Sequence, residues 1–321
     1  MTGRGSFSLA TAPSVRRGGL NYEHERPEVS ITPSYLRGLY LNERDRALLR
    51  LVAEVGYATT DQLTRLFWHD KSPQTASKRL LKLWKDWVLD RQPFYRLPDY
   101  GLRAQLVYML GRAGVKMLQD VDENVTRREG TLLMPHDVLL SEAVVRLVET
   151  ARTMGADHDV SFYGEAATYT AFQWESRWVK MRPDGFVYLT GNGKEYPFYV
   201  ELDRNTRPID HLLGKAKQYE LYRRSGEWKR ERSRFPAIMV IVWTKYAMRE
   251  GLSSEEAAER RQARAQRRLN DVVRRLKKIH KKGLTWFCQR LDRVGKEPWH
   301  VVISEGVKRA PPFITRNGHR S

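Results

Sequence analysis

The sequence predicts an α+β protein with about two domains, and three observations lead to that prediction. The chain has 321 residues, and a domain typically takes ~150 residues. Its first part combines apolar residues at helical spacing with two extended runs. After a charged, poorly patterned connector at residues 120–130, long helical patterns alternate with short extended runs and turns. Helical patterns and extended runs thus occur in both parts, which indicates that each core is built from helices and strands.

The first 38 residues are predicted to be a disordered basic arm. Arg4, Arg16 and Arg17 lie among Gly, Ser and Ala, and residues 1–20 contain no acidic residue. Such a segment buries too little apolar surface to fold alone. Organellar transit peptides share this composition and are the alternative, whereas the apolar run of a secretory signal does not occur there. We expect order to begin near Thr32.

Residues 39–120 are predicted to form a winged helix-turn-helix domain. Three short helical patterns are followed by extended runs at residues 88–97 and 105–110, which a turn joins. This order is typical of a helix-turn-helix with a β-wing. Favoured capping residues mark the three helix starts: Asn42, Thr59 or Thr60, and Ser72 followed by Pro73.

The start of the third helix and the wing are the predicted DNA contacts of this domain. In such motifs the N-terminal end of that helix enters the major groove, where Gln pairs with adenine and Arg with guanine. A winged helix used only for protein contacts is the alternative. The residues assigned to DNA are Gln74, Thr75, Ser77, Lys78 and Arg79 in the helix and Arg91, Arg96 and Arg103 in the wing.

Residues 131–305 are predicted to form a second domain, and residues 306–321 a flexible tail. The predicted elements of that domain are a helix at 136–154, strands at 178–181, 185–189 and 198–202, a helix at 209–224, a strand at 237–243, a helix at 253–282 and strands at 284–287 and 300–303. The helix at 136–154 has the apolar spacing of an amphipathic helix.

Carboxylates at the ends of two of these strands form a candidate metal site. Asp184 precedes one strand, and Glu201 and Asp203 end the next on a common face, because side chains alternate along a strand. Antiparallel pairing of the two strands would place Asp184 beside Glu201. Such oxygen ligands suit Mg²⁺ or Mn²⁺, which polarise a phosphodiester. The alternative is that the aspartates are turn residues and that Glu201 pairs with an arginine.

The next helix adds a candidate cation and two hydrogen-bonding groups. Lys215, Gln218 and Tyr222 are spaced three and four residues apart, so they share one helix face. An ammonium group there would stabilise a phosphate in the transition state or orient water. Lys217 points about 100° away from that face and is a weaker candidate.

The helix predicted at residues 253–282 carries eleven basic and four acidic residues, and the acids lie mainly in its first turns. A helix with such an excess of positive charge can lie along the phosphates of DNA and bind it without sequence preference. We therefore assign Arg264, Arg268 and Arg275 to DNA binding. A solvated surface helix and a membrane-surface helix are the alternatives, and the aromatic anchors typical of the latter do not occur on its apolar face.

The formal charge of +19 indicates an anionic partner. Because the excess is spread over the arm, the winged helix and the long helix, it favours double-stranded DNA over a small acidic ligand or a membrane. The single cysteine, Cys288, excludes a disulfide framework and a cysteine-rich zinc site, and it fits the cytoplasm. The longest apolar run, at residues 237–243, is far shorter than the ~20 residues of a membrane helix.

Several of these residues resemble the motifs of a nuclease family. The second domain is similar to the PD-(D/E)xK restriction-endonuclease-like nucleases in Pro183-Asp184, Glu201 and the Q-x-x-x-Y pair of Gln218 and Tyr222. The whole arrangement over residues 42–245 resembles the replication-relaxation family of bacterial mobile elements, whose E-x-D-x-x-T run is matched by Glu201, Asp203 and Thr206.

That resemblance implies a restriction-endonuclease-like fold, with Asp184 and Glu201 as metal ligands and Glu142 as a third. One position departs from the nuclease pattern, because Asp203 stands where the E-x-K lysine is expected. Activity then requires a lysine from elsewhere, for which Lys215 is the candidate. Otherwise the site is a degenerate binding scaffold.

Two functions are therefore expected. The first is a DNA-binding protein of mobile-element replication or mobilisation that cuts or nicks DNA with Mg²⁺ or Mn²⁺. The second is a non-catalytic accessory or regulatory protein that holds DNA, a relaxase or a replication protein through a nuclease-like fold. The sequence leaves a homodimer open in either case.

Overall fold

The computed structural model describes residues 26–94, 105–120, 125, 133–245, 253–279 and 284–302. Most of the predicted arm, the wing positions Arg96 and Arg103, and the predicted tail at 306–321 lie outside these residues. Within them the protein has the mixed α+β composition that the sequence predicts. No helix in this described part is long and apolar enough to cross a membrane.

Among the described residues of the first part of the chain, five helices accompany a small antiparallel sheet. The elements of this part are α1 (Pro33–Gly38), α2 (Glu43–Val55), β1 (Ala58–Thr59), α3 (Thr60–Phe67), α4 (Pro73–Lys85), β2 (Leu89–Phe94), β3 (Gln105–Leu110) and α5 (Arg112–Gln119). The strand order is β1-β3-β2. Leu48, Leu63 and Leu80 from α2, α3 and α4 are fully buried in one core.

Helices α2, α3 and α4 begin where the sequence predicts, because side chains satisfy their first N–H groups. Helix α1 begins after Thr32, where order was expected, and it lies within the range 1–38 that was predicted to be a disordered arm. Asn42 and Thr59 each form a capping box with the residue three positions later. Ser72 caps α4, and Pro73 lies in the first turn of that helix. Gly56 ends α2 at φ +80°, a backbone region that favours glycine.

The second part of the chain is built on a six-stranded mixed sheet. Its elements are α6 (Met134–Met154), β4 (Asp159–Gly164), α7 (Glu165–Thr168), β5 (Thr170–Trp174), β6 (Arg177–Met181), β7 (Gly185–Gly191), β8 (Lys194–Asp203), α8 (Ile209–Ser225), β9 (Ala237–Val242), α9 (Ser254–Ile279), β10 (Trp286–Arg290) and β11 (His300–Val302). The sheet order is β11-β10-β9-β8-β7-β4, with β8, β9 and β10 parallel. Strands β5 and β6 form a separate hairpin.

Helices cover both faces of the six-stranded sheet. Helix α6 packs on the face that carries Val200 and Leu202, and α8 and α9 pack on the face that carries Tyr199 and Val240. Alternation along β8 therefore sends Leu202 toward α6 and sends Glu201 and Asp203 toward α8 and α9. This is the orientation that the sequence predicts.

Helix α6 contributes to the cores of both parts. Val144 packs with the first core, whereas Leu140 and Ala143 pack with the sheet. Close to this helix, the Gly164 N–H donates to Glu54 Oε2 at 2.6 Å, and a Cβ on Gly164 would lie 2.1 Å from the Glu54 carbonyl oxygen. Only glycine permits this approach. The division into two domains remains a prediction, and the two parts are in close contact through α6.

Candidate active site

A cleft of about 750 Å³ opens where β8 ends, between the first turn of α6, the middle of α8 and the base of the β5–β6 hairpin. Five of the seven catalytic and metal-binding candidates predicted from sequence line it, namely Asp184, Glu201, Asp203, Lys215 and Gln218. The remaining two, Glu142 and Tyr222, lie elsewhere. Most of the residues that the sequence assigns to the site therefore lie together in one cleft.

Strand pairing places Asp184 beside Glu201. Strands β7 and β8 are antiparallel, with Gly185 opposite Val200. The Asp184 N–H donates to the Val200 carbonyl at 3.0 Å, and the Leu202 N–H donates to Asp184 Oδ2 at 2.7 Å. The antiparallel pairing on which the sequence argument depended is therefore confirmed, and it fixes the Asp184 carboxylate at the end of β8.

Lys215 from α8 lies between the two carboxylates. Its Nζ is 3.2 Å from Asp184 Oδ1 and also donates to Glu201 Oε2. The Glu201 side chain is only 3% exposed, so its negative charge depends on this ammonium group for compensation. Two carboxylates from neighbouring strands thus converge on one cation from a helix.

Two further residues complete the site, and sequence reasoning did not assign them to it. The Tyr219 hydroxyl donates to Glu201 Oε1 at 2.6 Å. His136, in the first turn of α6, places Nε2 3.4 Å from Asp184 Oδ2 and Nδ1 3.1 Å from Asp137 Oδ1. Tyr219 was detectable, since it is four residues after Lys215 and so shares its face. His136 carries no such signal, because only the packing of α6 brings it to β8.

The shared ion pairs shift the pKa values of the site. Burial alone would lower the pKa of His136, but hydrogen bonds to Asp137 and Asp184 raise it to about 9. Burial would raise the pKa of Asp184, but His136 and Lys215 hold it well below its usual range. Burial raises the pKa of Glu201 to about 7 despite the neighbouring Lys215. Burial opposes the charge of Lys215, yet Glu201 and Asp184 raise its pKa.

Asp203 and Tyr222, both expected at the site, have other partners. Asp203 lines the cleft but forms a two-pronged ion pair with Arg268 of α9, at 2.6 and 3.3 Å. Tyr222 lies two turns beyond Lys215, about 10 Å along the axis, and packs against Phe172 with ring centroids 5.1 Å apart. The structure thus puts Tyr222 in the core that α8 forms with the sheet.

Glu142, expected from the resemblance as a third ligand, faces the first part of the chain. It is six residues after His136, about 9 Å further along α6. Its carboxylate accepts hydrogen bonds from Arg65 at 3.0 Å, from Arg146 at 2.8 Å and from Gln62 at 3.2 Å. These bonds connect α3 with α6, so Glu142 belongs to the contact between the two parts.

The residues assigned to DNA fall into two groups. The first group is exposed and comprises Gln74, Thr75, Ser77 and Lys78 at the start of α4 and Arg264 on α9. The second group is engaged within the protein: Arg79 with Asp45, Arg91 4.0 Å from the Trp84 ring centroid, Arg268 with Asp203, and Arg275 with Asp210. The assignment of Arg79 to DNA needs correction, because its guanidinium neutralises a buried carboxylate.

The mouth of the cleft is rich in positive charge. Lys180, Arg182, Arg204 and Arg207 line it around the two carboxylates. Such a rim attracts a polyanion toward the two carboxylates at the base of the cleft.

His136 is expected to make stability depend on pH in metal-free buffer. Its pKa is 6.5 in the unfolded chain and about 9 in the fold, so its contribution is complete below pH 6.5 and is lost as the pH rises through 9. Replacing His136 with Gln should remove up to about 3 kcal/mol near pH 6 and little near pH 10. Urea unfolding of both proteins at several pH values measures this difference, and a difference independent of pH would contradict it.

Comparison with protein families gives one match. A family model described as replication-relaxation matches residues 49–238, more than half of the chain. The matched range runs from the middle of α2 into β9 and includes Asp184, Glu201 and Lys215. Comparisons with curated proteins and with solved structures give no match.

Proposed function

The chain belongs to the replication-relaxation family, and from that premise we propose a DNA-binding protein of plasmid replication or relaxation that cuts or nicks DNA with Mg²⁺ or Mn²⁺. One observation carries the proposal: Asp184 and Glu201 converge on Lys215 Nζ at the base of a cleft with a basic rim. Paired carboxylates with one lysine suit phosphodiester chemistry, whereas the rim suits the DNA backbone.

The donor set fits a hard divalent cation. Asp184 and Glu201 supply two carboxylates, and Mg²⁺ commonly takes one or two of these and completes its shell with water and phosphate oxygens. No group of three or more His, Cys, Asp or Glu able to hold a metal occurs in the described ranges. Water and phosphate oxygens would therefore have to supply the other ligands of the ion. Lys215 Nζ lies between the two carboxylates, so it would have to move away from them before an ion could bind. The ion, when bound, would polarise the phosphodiester and activate water.

The protein's own groups have distinct roles in this proposal. The Leu202 N–H and the Tyr219 hydroxyl orient the carboxylates of Asp184 and Glu201, so both point into the cleft. Lys215, on leaving the carboxylates, stabilises the extra negative charge on the phosphate. His136, protonated at neutral pH, holds Asp184 in its ionised form.

The first part of the chain is proposed to bind DNA as a winged helix. The element order α2-β1-α3-α4-β2-β3 and the antiparallel order β1-β3-β2 support this. So do Gln74, Thr75, Ser77 and Lys78, whose exposed side chains lie at the start of α4, the end that enters the major groove in such motifs. The exposed arginines of α9 would add contacts to phosphates.

Cleavage of supercoiled plasmid tests the nuclease proposal. With Mg²⁺ or Mn²⁺, the full chain should convert supercoiled DNA to nicked or linear forms. Asp184→Asn and Glu201→Gln should each lower the rate about 100-fold or more, since loss of one ligand removes several kcal/mol of transition-state stabilisation. Asp159→Asn, which changes an exposed carboxylate at the start of β4 outside the cleft, is the control. Equal cleavage by all variants would reject this site.

A non-catalytic accessory protein is the second candidate, and one observation favours it. Lys215 and His136 already compensate the charges of Asp184 and Glu201, and Arg268 does the same for Asp203. The site is therefore stable as a set of ion pairs. DNA binding without cleavage under every divalent cation tested would support this candidate, in which the cleft only holds DNA or a replication protein.

A further inference from the structure

One tryptophan is exposed on the hairpin beside the cleft. All nine tryptophans lie in the described part of the chain, and of these only Trp178, at 70% exposure, is an exposed residue. It lies on β6, where it pairs with Gln173 of β5. An exposed indole lacks the apolar contacts that a buried indole makes. An exposure as high as that of Trp178 is therefore unusual for a tryptophan.

The other face of the same hairpin already holds it to the protein. Phe172 and Met181 are buried, and they pack with Trp174 and Val179 against α8. Side chains alternate along a strand, so Trp178 lies on the outward face. The fold of the hairpin therefore does not require an aromatic ring at this position.

The outward face forms a polar and aromatic surface that continues into the cleft. Its residues Ala171, Gln173, Trp178 and Lys180 are all exposed, with Ala171 opposite Lys180 and Gln173 opposite Trp178. Lys180 lines the cleft that contains Asp184. Two residues along one strand are about 7 Å apart, so the Trp178 ring is the next group outward from the Lys180 ammonium.

Basic and aromatic groups also alternate at the base of the hairpin. Arg182 lines the cleft, and its guanidinium lies 5.1 Å from the centroid of the Tyr169 ring, a residue that is 42% exposed. Trp178 and Lys180 lie on the outward face of β6, and Arg182 directly follows the end of that strand and lines the cleft with Asp184. Alternation of aromatic rings with cations is the pattern by which proteins bind single strands, since rings stack on bases and cations follow the phosphates.

We propose that the β5–β6 hairpin binds unpaired DNA, with Trp178 stacked on a base and with Lys180 and Arg182 on the adjoining phosphates. The strand would then run into the cleft at Asp184 and Glu201, so the substrate of the site is a single strand or an unpaired segment beside a duplex. This inference rests on the proposed function for its second half. Binding by the hairpin stands on its own and does not require a metal ion.

Binding without metal tests the inference separately from cleavage. The full chain is titrated in EDTA against a fluorescent single strand of about 20 nucleotides and against the matching duplex, with anisotropy as the readout. Trp178→Ala should weaken single-strand binding about tenfold and leave duplex binding unchanged, whereas Trp178→Phe should retain most of it. Lys180→Ala should lower the salt slope for the single strand by about 0.7.

Matched variants separate binding by the hairpin from cleavage and from a general effect of removing an exposed aromatic ring. Tyr163→Ala removes an aromatic ring that is 43% exposed on β4, outside the hairpin, and should leave both affinities unchanged. Asp184→Asn should lower the rate of cleavage about 100-fold or more but retain single-strand binding in EDTA, so failure of the nuclease proposal is recognisable by itself. Equal loss of single-strand and duplex affinity in Trp178→Ala, or no loss of either, would overturn the inference.

A single strand that carries 5-iododeoxyuridine provides a second, independent readout. Irradiation of its complex with the full chain should cross-link the peptide that contains Trp178, and Trp178→Ala should abolish that product. Cross-links confined to α4 or α9 would overturn the assignment, because the strand would then bind on another surface.

Discussion

Replacing Lys215 with Met is expected to destabilise the protein by about 3–5 kcal/mol at pH 8 and to abolish cleavage. The substitution leaves the carboxylates of Asp184 and Glu201 close together without the ammonium between them, and removal of one member of a buried ion-pair cluster has this effect. The loss should shrink toward pH 5, since protonation of Glu201 relieves the uncompensated charge. Urea denaturation at both pH values measures it.

A divalent cation should restore much of this stability. In Lys215→Met the space between the two carboxylates is free of the ammonium, so Mn²⁺ can bind there and raise the midpoint of thermal unfolding with increasing concentration. Asp184→Asn in the same background should remove that increase. A variant that Mn²⁺ does not stabilise would show that the carboxylates do not form a metal site.

Lys217→Met is the matched control, because Lys217 lies on the same helix with an exposed side chain. It removes the same charge two residues away and should change the free energy of unfolding by about 0.5 kcal/mol or less. A large effect at Lys217 would mean that the total charge of α8, rather than the ion pairs of Lys215, determines stability.

Replacing Arg79 with Ala is expected to destabilise the protein by about 3 kcal/mol or more, although the sequence places this residue at a DNA surface. Its guanidinium donates to both oxygens of Asp45, whose side chain is only 1% exposed, and to the Tyr40 carbonyl at 3.0 Å. The variant leaves Asp45 buried without its cation. Thermal and urea unfolding measure the loss.

The double variant Arg79→Met/Asp45→Leu separates the two interpretations of Arg79. It removes the ion pair as a unit, so it should recover much of the stability lost in Arg79→Ala, less about 1 kcal/mol for the capping bond that Asp45 accepts from the Asn42 N–H. Lys78→Ala is the control at an exposed neighbour, where DNA affinity should fall and stability should not. An Arg79→Ala variant with normal stability and weak DNA binding would restore the original assignment.

Local signals predicted most of the elements correctly. Capping residues and proline positions located the starts of α2, α3 and α4, since these depend on side chains within one turn. Alternation along β8 correctly placed Glu201 and Asp203 on one face and Leu202 on the other. Each of these features is decided by residues only a few positions apart in the sequence.

The candidate site was only partly predictable. Asp184, Glu201 and Lys215 were found because strand pairing and helix spacing convert sequence distance into contact. His136 escaped, because no local pattern indicates that the first turn of α6 meets the end of β8. The same lack of long-range information made Arg79 and Arg268 look like free cations, although Asp45 and Asp203 neutralise them.

The amino-acid sequence alone identified a basic α+β chain, the starts of its main helices, and the carboxylates and lysine of a candidate site. Those properties follow from composition and from periodicities within single elements. The tertiary structure decided which charges remain available, because an ion pair depends on contact between distant segments. It paired Asp203 with Arg268 and Glu142 with Arg65, turned Tyr222 into a core residue, and left Trp178 exposed beside the cleft.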